Sequence, residues 1–407
     1  MALGGRLTPP DRGTPVDRFH IASEDDIRKG RTSDVYFFRT LEVLEAEGKD
    51  RARAYGEFTA PSLPQDWTWG VFAGLEEAVR LLEGHDVALW AAPEGTVFTP
   101  RTHRGVPLPL MAIEGPYAEY AIYETPALGL ICQASGIATK ASRVRKAAGD
   151  RRVISFGVRR MHPALAPMIE RSVYVGGLDA ITTPLGGELL GKEPVGTMPH
   201  SLTILLGGPK EAFTAMHKHL RKDVPRIALV DTYWDEKAET LAALEAIPEL
   251  AGVRLDTPAS RRGNFANIVR EIRWELDLRG YKNVKVYVSG ALDEHTIPEL
   301  VAAGADGFGV GTSLSNAPSI DFAFDLVEVD GKPVAKRGKF GGRKTVYRCE
   351  NDLTLEVDEE RCPVCGATMR PLFKRYLSKG KLVEDLPKVD AIREYALFQL
   401  EKVFLAK

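Results

Sequence analysis

Two short turns in the second half of the chain have the residue types that bind phosphate groups. Each follows an apolar run, in VSGALDE (288–294) and GVGTSLS (309–315). Glycines allow the backbone to approach a ligand closely, and free N–H groups at the start of the next helix can bind an anion. Glycine also makes ordinary tight turns, but two such turns in succession favour a phosphate ligand. The candidate phosphate-binding residues are Ser289, Gly290, Gly309, Gly311 and Thr312.

Charged residues stand at the ends of the apolar runs that precede these turns. Arg254 and Asp256 in VRLDT point to the same side of a strand, because side chains alternate along a strand with a period of two. A charged pair is costly to bury without a purpose, so the pair suits an anion or a ribose bound at the strand end. A structural ion pair would give the same pattern. Asp231 ends the run RIALVD in the same way.

Two further segments contain candidate binding residues. In SFGVRRMHP (155–163), Phe156 offers a flat face for stacking and Arg159 offers a guanidinium for a carboxylate or a phosphate. In isolation these residues equally suit a core phenylalanine and a surface arginine. His200 lies in the loop PVGTMPHSL, which is broken by glycine and proline. Histidines in such loops are more often functional than those on a periodic helix face.

The cysteines indicate a metal site rather than disulfides. Cys132 is isolated, whereas the other three cluster within 17 residues near the end of the chain. The turn Cys362-Pro-Val-Cys365 is typical of a knuckle that presents two thiolates to zinc, and Cys349 with Asp352 repeats the spacing. The cluster is either a structural zinc site with Cys3Asp ligands or a degenerate one, because structural sites usually use Cys or His alone.

The elements that must position these residues alternate between strand and helix. Short apolar runs at 153–156, 226–231, 252–257, 283–290 and 307–312 precede helical segments near 163–171, 236–246, 264–279 and 295–303. Repeated βα units with nearly all-apolar strands predict a parallel sheet that is buried on both faces. An α/β barrel fits best, with a doubly wound sheet as the alternative. In both folds the strand ends meet at one mouth.

Shifts in composition divide the chain into three predicted parts: an N-terminal α/β segment with an arm (1–120), the barrel that carries the active site (121–320), and a C-terminal knuckle-like segment with a closing helix (321–407). Residues 1–30 are rich in proline, glycine and charge, which predicts a loose arm. A helix capped by Ser33 or Asp34 should follow, with Phe37, Phe38, Leu41 and Leu44 on its apolar face.

Composition excludes several classes of protein. The 407 residues include 54 Lys plus Arg and 56 Asp plus Glu, so the net charge of −2 gives no general attraction to nucleic acid. The basic run 331–348 is most often a solvated linker. No stretch approaches the roughly 18 apolar residues that span a bilayer, and the first residues lack the apolar core of a secretory signal. We expect a cytoplasmic protein with no membrane or nucleic-acid partner.

Together these segments resemble the nicotinate phosphoribosyltransferases, specifically their compact archaeal and bacterial type with a C-terminal zinc-knuckle-like segment. The similarity runs in order through nearly the whole chain. The matching segments are SDVYFFRT (33–40), CQASGIATKASRVRKAAGD (132–150), SFGVRRMHPA (155–164), PVGTMPHSL (194–202), LVDTYWDEK (229–237), VRLDTPASRRGNF (253–265), VSGALDE (288–294) and GVGTSLS (309–315). The resemblance implies a type II phosphoribosyltransferase fold, with an N-terminal α/β sandwich, an irregular α/β barrel and a C-terminal knuckle.

The resemblance also implies roles for individual residues. Tyr36 from a partner subunit and Phe156 would sandwich a pyridine ring, so the protein would be at least a homodimer with shared active sites. Arg159 and Arg254 would face anionic groups of the substrate, and Asp231 and Asp256 would lie near ribose, pyrophosphate and Mg²⁺. His200 matches the histidine that related enzymes phosphorylate with ATP. Arg39 and Lys140 fall in matching segments and would contact phosphates. Family knuckles commonly have four cysteines, whereas Asp352 occupies one of those positions here.

The implied reaction joins nicotinate to phosphoribosyl pyrophosphate in NAD salvage, with ATP as a co-substrate. It gives nicotinate mononucleotide and pyrophosphate. Within this class, the alternatives are quinolinate and nicotinamide as the pyridine substrate. In other classes, Lys140 could form a Schiff base in an aldolase-like barrel, or the basic run and knuckle could bind nucleic acid. The helical context of Lys140 and the neutral net charge argue against these two.

Overall fold

The computed structural model describes residues 19–405, so most of the predicted arm, residues 1–18, lies outside the described part. The helices are α1 (Glu24–Arg28), α2 (Val35–Ala46), α3 (Leu75–Leu82), α4 (Glu124–Ala148), α5 (Ala166–Val175), α6 (Pro184–Leu190), α7 (His200–Leu205), α8 (Pro209–His219), α9 (Glu236–Ala246), α10 (Ala259–Arg262), α11 (Phe265–Leu278), α12 (Ile297–Ala302), α13 (Thr312–Ser315) and α14 (Val389–Leu400).

The strands are β1 (Arg53–Thr59), β2 (Gly70–Val71), β3 (Ala88–Ala91), β4 (Val97–Phe98), β5 (Pro109–Pro116), β6 (Arg152–Ser155), β7 (Arg226–Leu229), β8 (Leu250–Leu255), β9 (Lys285–Ser289), β10 (Gly307–Val310), β11 (Ala323–Val329), β12 (Lys332–Pro333), β13 (Val346–Arg348), β14 (Leu355–Val357), β15 (Arg370–Pro371), β16 (Lys374–Ser378) and β17 (Lys381–Leu382). Among residues 19–405, no helix is long and apolar enough to cross a membrane.

Five parallel strands form an irregular barrel. Their order is β6-β10-β9-β8-β7, so the first strand pairs with the last, as cyclic closure requires, and a doubly wound sheet is excluded. Between β6 and β7 no regular strand is present among residues 19–405. The Asp179 N–H donates to the Val153 carbonyl and the Ser155 N–H donates to the Ala180 carbonyl, both at 3.0 Å, and the Val195 N–H donates to the Ile181 carbonyl at 2.8 Å. The gap in regular pairing explains why the barrel is irregular, and the predicted fold class is confirmed.

The strands of the barrel are buried because helices cover their outer face. Val153, Val253, Val286, Phe308 and Val310 are fully buried and belong to one core. The sequence predicted the bounds of α9 (236–246) to the residue. Nearly continuous apolar strands therefore pack on both faces, as the sequence pattern indicated.

A second, antiparallel sheet joins the two ends of the chain. Its order is β12-β11-β1-β5-β3-β16-β17, so four strands from residues 323–382 pair with three strands from residues 53–116. Helix α3 buries Leu75, Ala78 and Val79 against this sheet. Beside it, β13, β14 and β15 form the small sheet that carries the cysteine cluster.

The basic run 331–348 is folded and paired with acidic side chains. Lys336 and Lys339 both bind Asp325 at 2.8 Å, and Lys344 binds Glu57 at 2.7 Å. Arg343 donates to the Glu114 carboxylate at 2.9 Å. These charges are neutralised by the antiparallel sheet, so the run is not a solvated linker.

Helix α2 begins after Asp34, as predicted, but its apolar face is only partly covered. Phe37 is buried, whereas Phe38, Leu41 and Leu44 are half-buried. On the same helix Val35, Tyr36 and Val43 are exposed. The helix therefore presents apolar surface outward in the single chain.

Candidate active site

A cavity of about 870 Å³ opens at the carboxyl ends of the barrel strands. Its lining includes residues that follow β6 and β8, together with the loop that fills the gap between β6 and β7. The lining residues are Phe156, Val158, Arg159, Met161, Pro163, Ala166, Thr182, Thr183, Thr197, Met198, Pro199, His200, Ser201, Arg254 and Asp256. Four of the residues selected from sequence (Phe156, Arg159, His200 and Arg254) thus share one cavity with Asp256, as expected for strand ends that meet at one mouth.

His200 lies between two carboxylates. Its Nε2 is 3.7 Å from Asp256 Oδ2, and its Nδ1 is 4.0 Å from Asp231 Oδ1 and 3.1 Å from the Thr232 hydroxyl. The nearby Asp256 carboxylate raises the pKa of His200 despite partial burial. The imidazole side chain is 40% exposed, so it can meet a ligand in the cavity.

The two carboxylates differ in their protonation. Burial raises the pKa of Asp231 to about 6, and its Oδ1 has no hydrogen-bond partner among residues 19–405. Burial also disfavours the charged form of Asp256, but the nearby His200 imidazole and a hydrogen bond from the Ser289 hydroxyl outweigh it and hold the pKa of Asp256 low. The Asp256 N–H donates to Asp231 Oδ2 at 3.0 Å, which fixes the two strand ends together.

Arg254 and Phe156 form a cationic and aromatic wall. The guanidinium carbon lies 5.6 Å from the centre of the Phe156 ring. Arg254 also donates to the Thr197 hydroxyl at 2.5 Å and to the Met198 carbonyl at 3.3 Å. Burial lowers the pKa of this arginine, and its Nε has no hydrogen-bond partner among residues 19–405. A planar anion could stack on the ring and accept hydrogen bonds from the guanidinium.

Glycine is required at two positions of the predicted phosphate turns. A Cβ on Gly309 would lie 2.2 Å from Phe156 Cε2, so only glycine leaves room for the aromatic ring. Gly290 has φ +94°, and a Cβ there would lie 3.1 Å from Asp256 Oδ1. Residues Ser289 and Gly309 are register partners on adjacent parallel strands, which brings the two turns side by side. Gly311 and Thr312 follow β10 at the start of α13.

Three candidates lie elsewhere. The Lys140 side chain is 9% exposed, forms an ion pair with Glu294 at 2.5 Å and does not line the cavity. Tyr36 and Arg39 are exposed on α2, and neither lines the cavity of its own chain. Arg159 does line the cavity, but its side chain is exposed at the rim.

The four predicted metal ligands do come together. One ligand atom from each of Cys349, Asp352, Cys362 and Cys365 lies within 4.8 Å of all the others. Cys349 and Cys362 are buried, and the Cys365 N–H donates to Cys362 Sγ at 3.5 Å, as in a knuckle turn. Three thiols and one carboxylate at this spacing fit a tetrahedral zinc ion.

Sequence reasoning missed the residues that hold the cavity in shape. Glu239 is fully buried, and its carboxylate accepts the N–H groups of Thr232, Tyr233 and Trp234. Glu170 accepts the N–H and hydroxyl groups of Thr182 and Thr183 in the cavity wall. Both glutamates lie on helices among other charged residues, so only their burial would have revealed them.

Arg262 lies at the end of α10, shortly after β8. Its Nη1 donates to the Gly290 carbonyl at 2.9 Å, and its guanidinium lies 5.0 Å from the Phe265 ring. Arg262 therefore anchors the first phosphate turn from the neighbouring strand end.

Comparison with known sequences is consistent with this geometry. The sequence models of the N-terminal and C-terminal domains of quinolinate phosphoribosyl transferase match residues 34–135 and 137–325. A nicotinate phosphoribosyltransferase of Mycobacterium tuberculosis is 32% identical over 334 residues, which cover 77% of this chain and 68% of that protein.

Solved structures share the fold. The crystal structure of nicotinate-nucleotide pyrophosphorylase from Pyrococcus furiosus has a TM-score of 0.90 and 50% identity, and the similarity covers 95% of this chain and 98% of that one. Human nicotinic acid phosphoribosyltransferase has a TM-score of 0.71 at 22% identity, with 91% and 94% covered, which supports the fold. The chain therefore belongs to the nicotinate phosphoribosyltransferase family.

Proposed function

We propose that the protein transfers a phosphoribosyl group from phosphoribosyl pyrophosphate to the ring nitrogen of nicotinate, giving nicotinate mononucleotide and pyrophosphate. The observation that carries this proposal is the half-buried Arg254 guanidinium beside the Phe156 ring, in the same cavity as Asp256 and His200. An aromatic carboxylate is the ligand that such a wall recognises, and the name of the M. tuberculosis relative agrees with it.

Arg254 would bind the nicotinate carboxylate. Its Nη1 already has the Thr197 hydroxyl as a partner, while its buried Nε has none among residues 19–405. A buried cation rejects a neutral amide in place of a carboxylate, because the amide leaves its charge unpaired. Arg159 at the rim is the second candidate for this contact.

The two glycine turns would hold the 5′-phosphate through their backbone N–H groups. The phosphate group and the pyridine would then lie on opposite sides of Asp256, which touches Ser289 of the first turn. The ring nitrogen attacks the anomeric carbon as pyrophosphate departs, and the ribose becomes oxocarbenium-like. Orientation and charge stabilisation suffice for this reaction, since no proton has to move.

Asp231 and Asp256 suit a Mg²⁺ ion, because Asp231 Oδ1 is unpartnered among residues 19–405 and Asp256 Oδ2 has only a long contact with His200. Bound magnesium would neutralise charge on the departing pyrophosphate. The Asp256 carboxylate itself would stabilise positive charge that develops on the ribose.

We propose that His200 couples ATP to this synthesis by accepting its γ-phosphoryl group. Thr232 orients the imidazole, and the raised pKa of His200 reflects its carboxylate neighbours. Attack on the γ-phosphorus needs the neutral imidazole, one nitrogen of which would form the N–P bond as ADP leaves. The nearby carboxylates would then stabilise the positive charge on the phosphorylated ring, and bound magnesium would relieve their repulsion with the phosphoryl group.

We also propose a homodimer that shares its active sites. The single chain leaves Tyr36 53% exposed on the partly uncovered helix α2. The ring of Tyr36 from a second copy would lie opposite Phe156 and complete the pyridine site, with Arg39 one turn away on the same helix face. The location of the protein in the cytoplasm stays a prediction.

A structural zinc ion would occupy the Cys349, Asp352, Cys362 and Cys365 cluster. The cluster lies on the small sheet of β13, β14 and β15, away from the cavity-lining residues. Its metal would stabilise the knuckle rather than take part in the reaction.

Quinolinate is the second candidate substrate, because the matching domain models describe quinolinate phosphoribosyl transferase. Quinolinate has two carboxylates and loses one as CO₂. The two arginines that line the cavity differ in exposure, since Arg254 is half-buried and Arg159 is exposed at the rim. Incubation with phosphoribosyl pyrophosphate, Mg²⁺ and both pyridines, followed by mass analysis and CO₂ detection, separates the candidates. Formation of mononucleotide from nicotinate without release of CO₂ supports the proposal. Release of CO₂ from quinolinate would show that quinolinate, not nicotinate, is the substrate.

A further inference from the structure

A closed cluster of three charged side chains lies behind the first phosphate turn. Lys140 and Arg143 project from α4, and Glu294 belongs to the loop that follows β9. Lys140 Nζ lies 2.5 Å from Glu294 Oε2, and Arg143 Nε donates to Glu294 Oε1 at 3.2 Å. The three side chains are 9%, 4% and 2% exposed, so the cluster is shielded from water.

The cluster has two cations for one carboxylate. Arg143 Nη1 is buried with no hydrogen-bond partner among residues 19–405, and its guanidinium lies 5.6 and 5.5 Å from the Trp67 and Trp69 rings. Buried charges are costly unless they are paired. Glu294 therefore neutralises two cations that would otherwise repel each other, and it can do so only if its loop stays close to α4.

The loop that carries Glu294 is under conformational strain. Ala291 has φ +52°, a left-handed conformation that non-glycine residues adopt at a cost. Such a conformation persists only where the surroundings hold it. Arg262 holds one side of the loop at the Gly290 carbonyl, and Glu294 holds the other side.

Helix α4 is itself fixed on its far side. The Val71 N–H donates to the Thr139 hydroxyl at 2.8 Å, and the Ala73 N–H donates to the Ser135 hydroxyl at 2.9 Å. The same helix packs against α12 and α13, which follow the two phosphate turns. The ion cluster therefore connects the strained turn to a helix that the N-terminal part of the molecule holds in place.

We propose that Glu294 is a positioning residue, which holds the Ser289–Gly290–Ala291 turn in the conformation that binds the 5′-phosphate by its ion pairs with Lys140 and Arg143. This role rests on the proposed function, since the 5′-phosphate is the ligand assigned to the turn. It also explains why Lys140, in a segment typical of phosphate binding, faces Glu294 instead of the cavity.

The test compares Glu294→Gln with the wild-type protein in steady-state kinetics and in calorimetric binding of phosphoribosyl pyrophosphate with Mg²⁺. We expect the KM for phosphoribosyl pyrophosphate to rise about tenfold or more, because small displacements of a binding group have large effects. The KM for nicotinate should stay within about twofold, since the Arg254 wall is untouched. Equal changes in both constants would overturn the proposal.

Glu57→Gln is the matched control. Glu57 forms a buried ion pair with Lys344 at 2.7 Å in the antiparallel sheet, and its side chain is 2% exposed. Loss of this pair should lower the thermal midpoint and leave the KM for phosphoribosyl pyrophosphate unchanged. A similar rise in KM in the control would mean that loss of any buried ion pair has this effect, and it would overturn the specific role of Glu294.

Glu294→Asp keeps the charge and protects the test against misfolding of the glutamine variant. The shorter side chain must draw the loop toward α4 or lengthen both ion pairs, so its KM for phosphoribosyl pyrophosphate should rise by about threefold. A wild-type value in this folded variant contradicts the positioning role. If the wild-type protein itself binds no phosphoribosyl pyrophosphate, the proposed function fails, and the positioning role fails with it. If the wild type binds and Glu294→Gln binds equally, only the positioning role fails.

Discussion

The barrel carries two groups of ionisable side chains that differ in the distances of their ion pairs and in their exposure. In the mouth group, His200 lies 3.7 Å from Asp256 and 4.0 Å from Asp231, and one oxygen of Asp231 has no partner among residues 19–405. In the closed group, Glu294 lies 2.5 Å from Lys140 and 3.2 Å from Arg143. The mouth group has long contacts and an exposed imidazole, whereas the closed group has short contacts and no exposed member.

This difference separates residues that meet substrates from residues that hold the site. Buried polar groups are normally satisfied within the fold, so incomplete pairing in a cavity marks positions that a ligand completes. In the closed group every side chain is in an ion pair and shielded from water, although Arg143 Nη1 and Glu294 Oε2 have no hydrogen-bond partner among residues 19–405. Removal of one member would leave a buried charge unpaired, so such a group holds the fold in place. Substitutions in the mouth group should change turnover with little loss of stability.

The largest effect should come from Asp256→Asn. Asparagine keeps the shape of the side chain but removes the negative charge that would face the ribose. We therefore expect kcat to fall by about 10²–10³. Steady-state kinetics and thermal unfolding together check this prediction. Asp325→Asn is the control, because Asp325 pairs with Lys336 and Lys339 in the antiparallel sheet. A kcat for Asp256→Asn close to that of the control would contradict the role of the mouth group.

Arg254→Ala should raise the KM for nicotinate by about 100-fold, because the substrate carboxylate would lose its buried charge partner. The KM for phosphoribosyl pyrophosphate should change far less. Arg159→Ala serves as the comparison, since Arg159 is exposed at the rim of the same cavity. If the KM values for nicotinate and for phosphoribosyl pyrophosphate rise equally in Arg254→Ala, this arginine does not bind the nicotinate carboxylate.

In His200→Ala, added ATP should no longer increase the rate of mononucleotide formation. The reason is that the variant lacks the proposed phosphoryl acceptor, while Asp256 and Arg254 remain. The measurement is the ratio of rates with and without ATP in the wild type and the variant, with labelled ATP to follow phosphorylation of the protein. Full stimulation by ATP in His200→Ala would exclude the histidine as the coupling residue.

The titration of Asp231, whose Oδ1 has no hydrogen-bond partner among residues 19–405, should be visible in the pH dependence of the free energy of unfolding. Burial raises its pKa to about 6, above the value of about 3.9 for an unfolded aspartate. The folded state then binds the proton more tightly, so the contribution of this group to the free energy of unfolding falls as pH rises from about 4 to about 6. Asp231→Asn removes this titration. Between about pH 4 and about pH 6, the free energy of unfolding of the variant should therefore rise relative to that of the wild type by up to about 2 kcal/mol. Chemical denaturation at several pH values measures the difference. A constant difference between the two proteins would show that Asp231 does not titrate as proposed.

The smallest effect on activity should come from the cysteine cluster, which resembles the closed group in its short contacts. Cys365→Ser should reduce bound zinc and lower the thermal midpoint by a few degrees, because the metal stabilises only the folded knuckle. Turnover should stay within about twofold, since no cluster residue lines the cavity. Metal analysis, calorimetry and kinetics on the same preparation check all three. A large loss of turnover without loss of stability would contradict a purely structural role.

Local pattern predicted the barrel well, because each strand and helix carries its own signal. The run RIALVD, the helix Glu236–Ala246 and the run GVRLDT follow in order, and their polar ends meet as expected. The antiparallel sheet could not be predicted in the same way. Strand β1 pairs with β11 across more than 260 residues of sequence, and no periodicity specifies such a partner.

The same limit applied to the candidate site. Arg254, Asp256 and His200 were found because they follow apolar runs or lie in a broken loop. The ion pair of Lys140 could not be predicted because its partner Glu294 is 154 positions away, and the pair exists only once α4 packs behind the turn. Glu239 was missed because its carboxylate binds backbone N–H groups, which leave no mark in the sequence.

Pyrophosphate release by the wild-type protein tests most directly whether it transfers a phosphoribosyl group to nicotinate. Nicotinate, nicotinamide and quinolinate are supplied in parallel with phosphoribosyl pyrophosphate and Mg²⁺, each with and without ATP. We predict that nicotinate supports pyrophosphate release, that ATP increases its rate, and that the other two pyridines support little or none. Turnover with quinolinate or nicotinamide alone would contradict the assignment of Arg254 to a single substrate carboxylate, and no release with any pyridine would contradict the reaction itself.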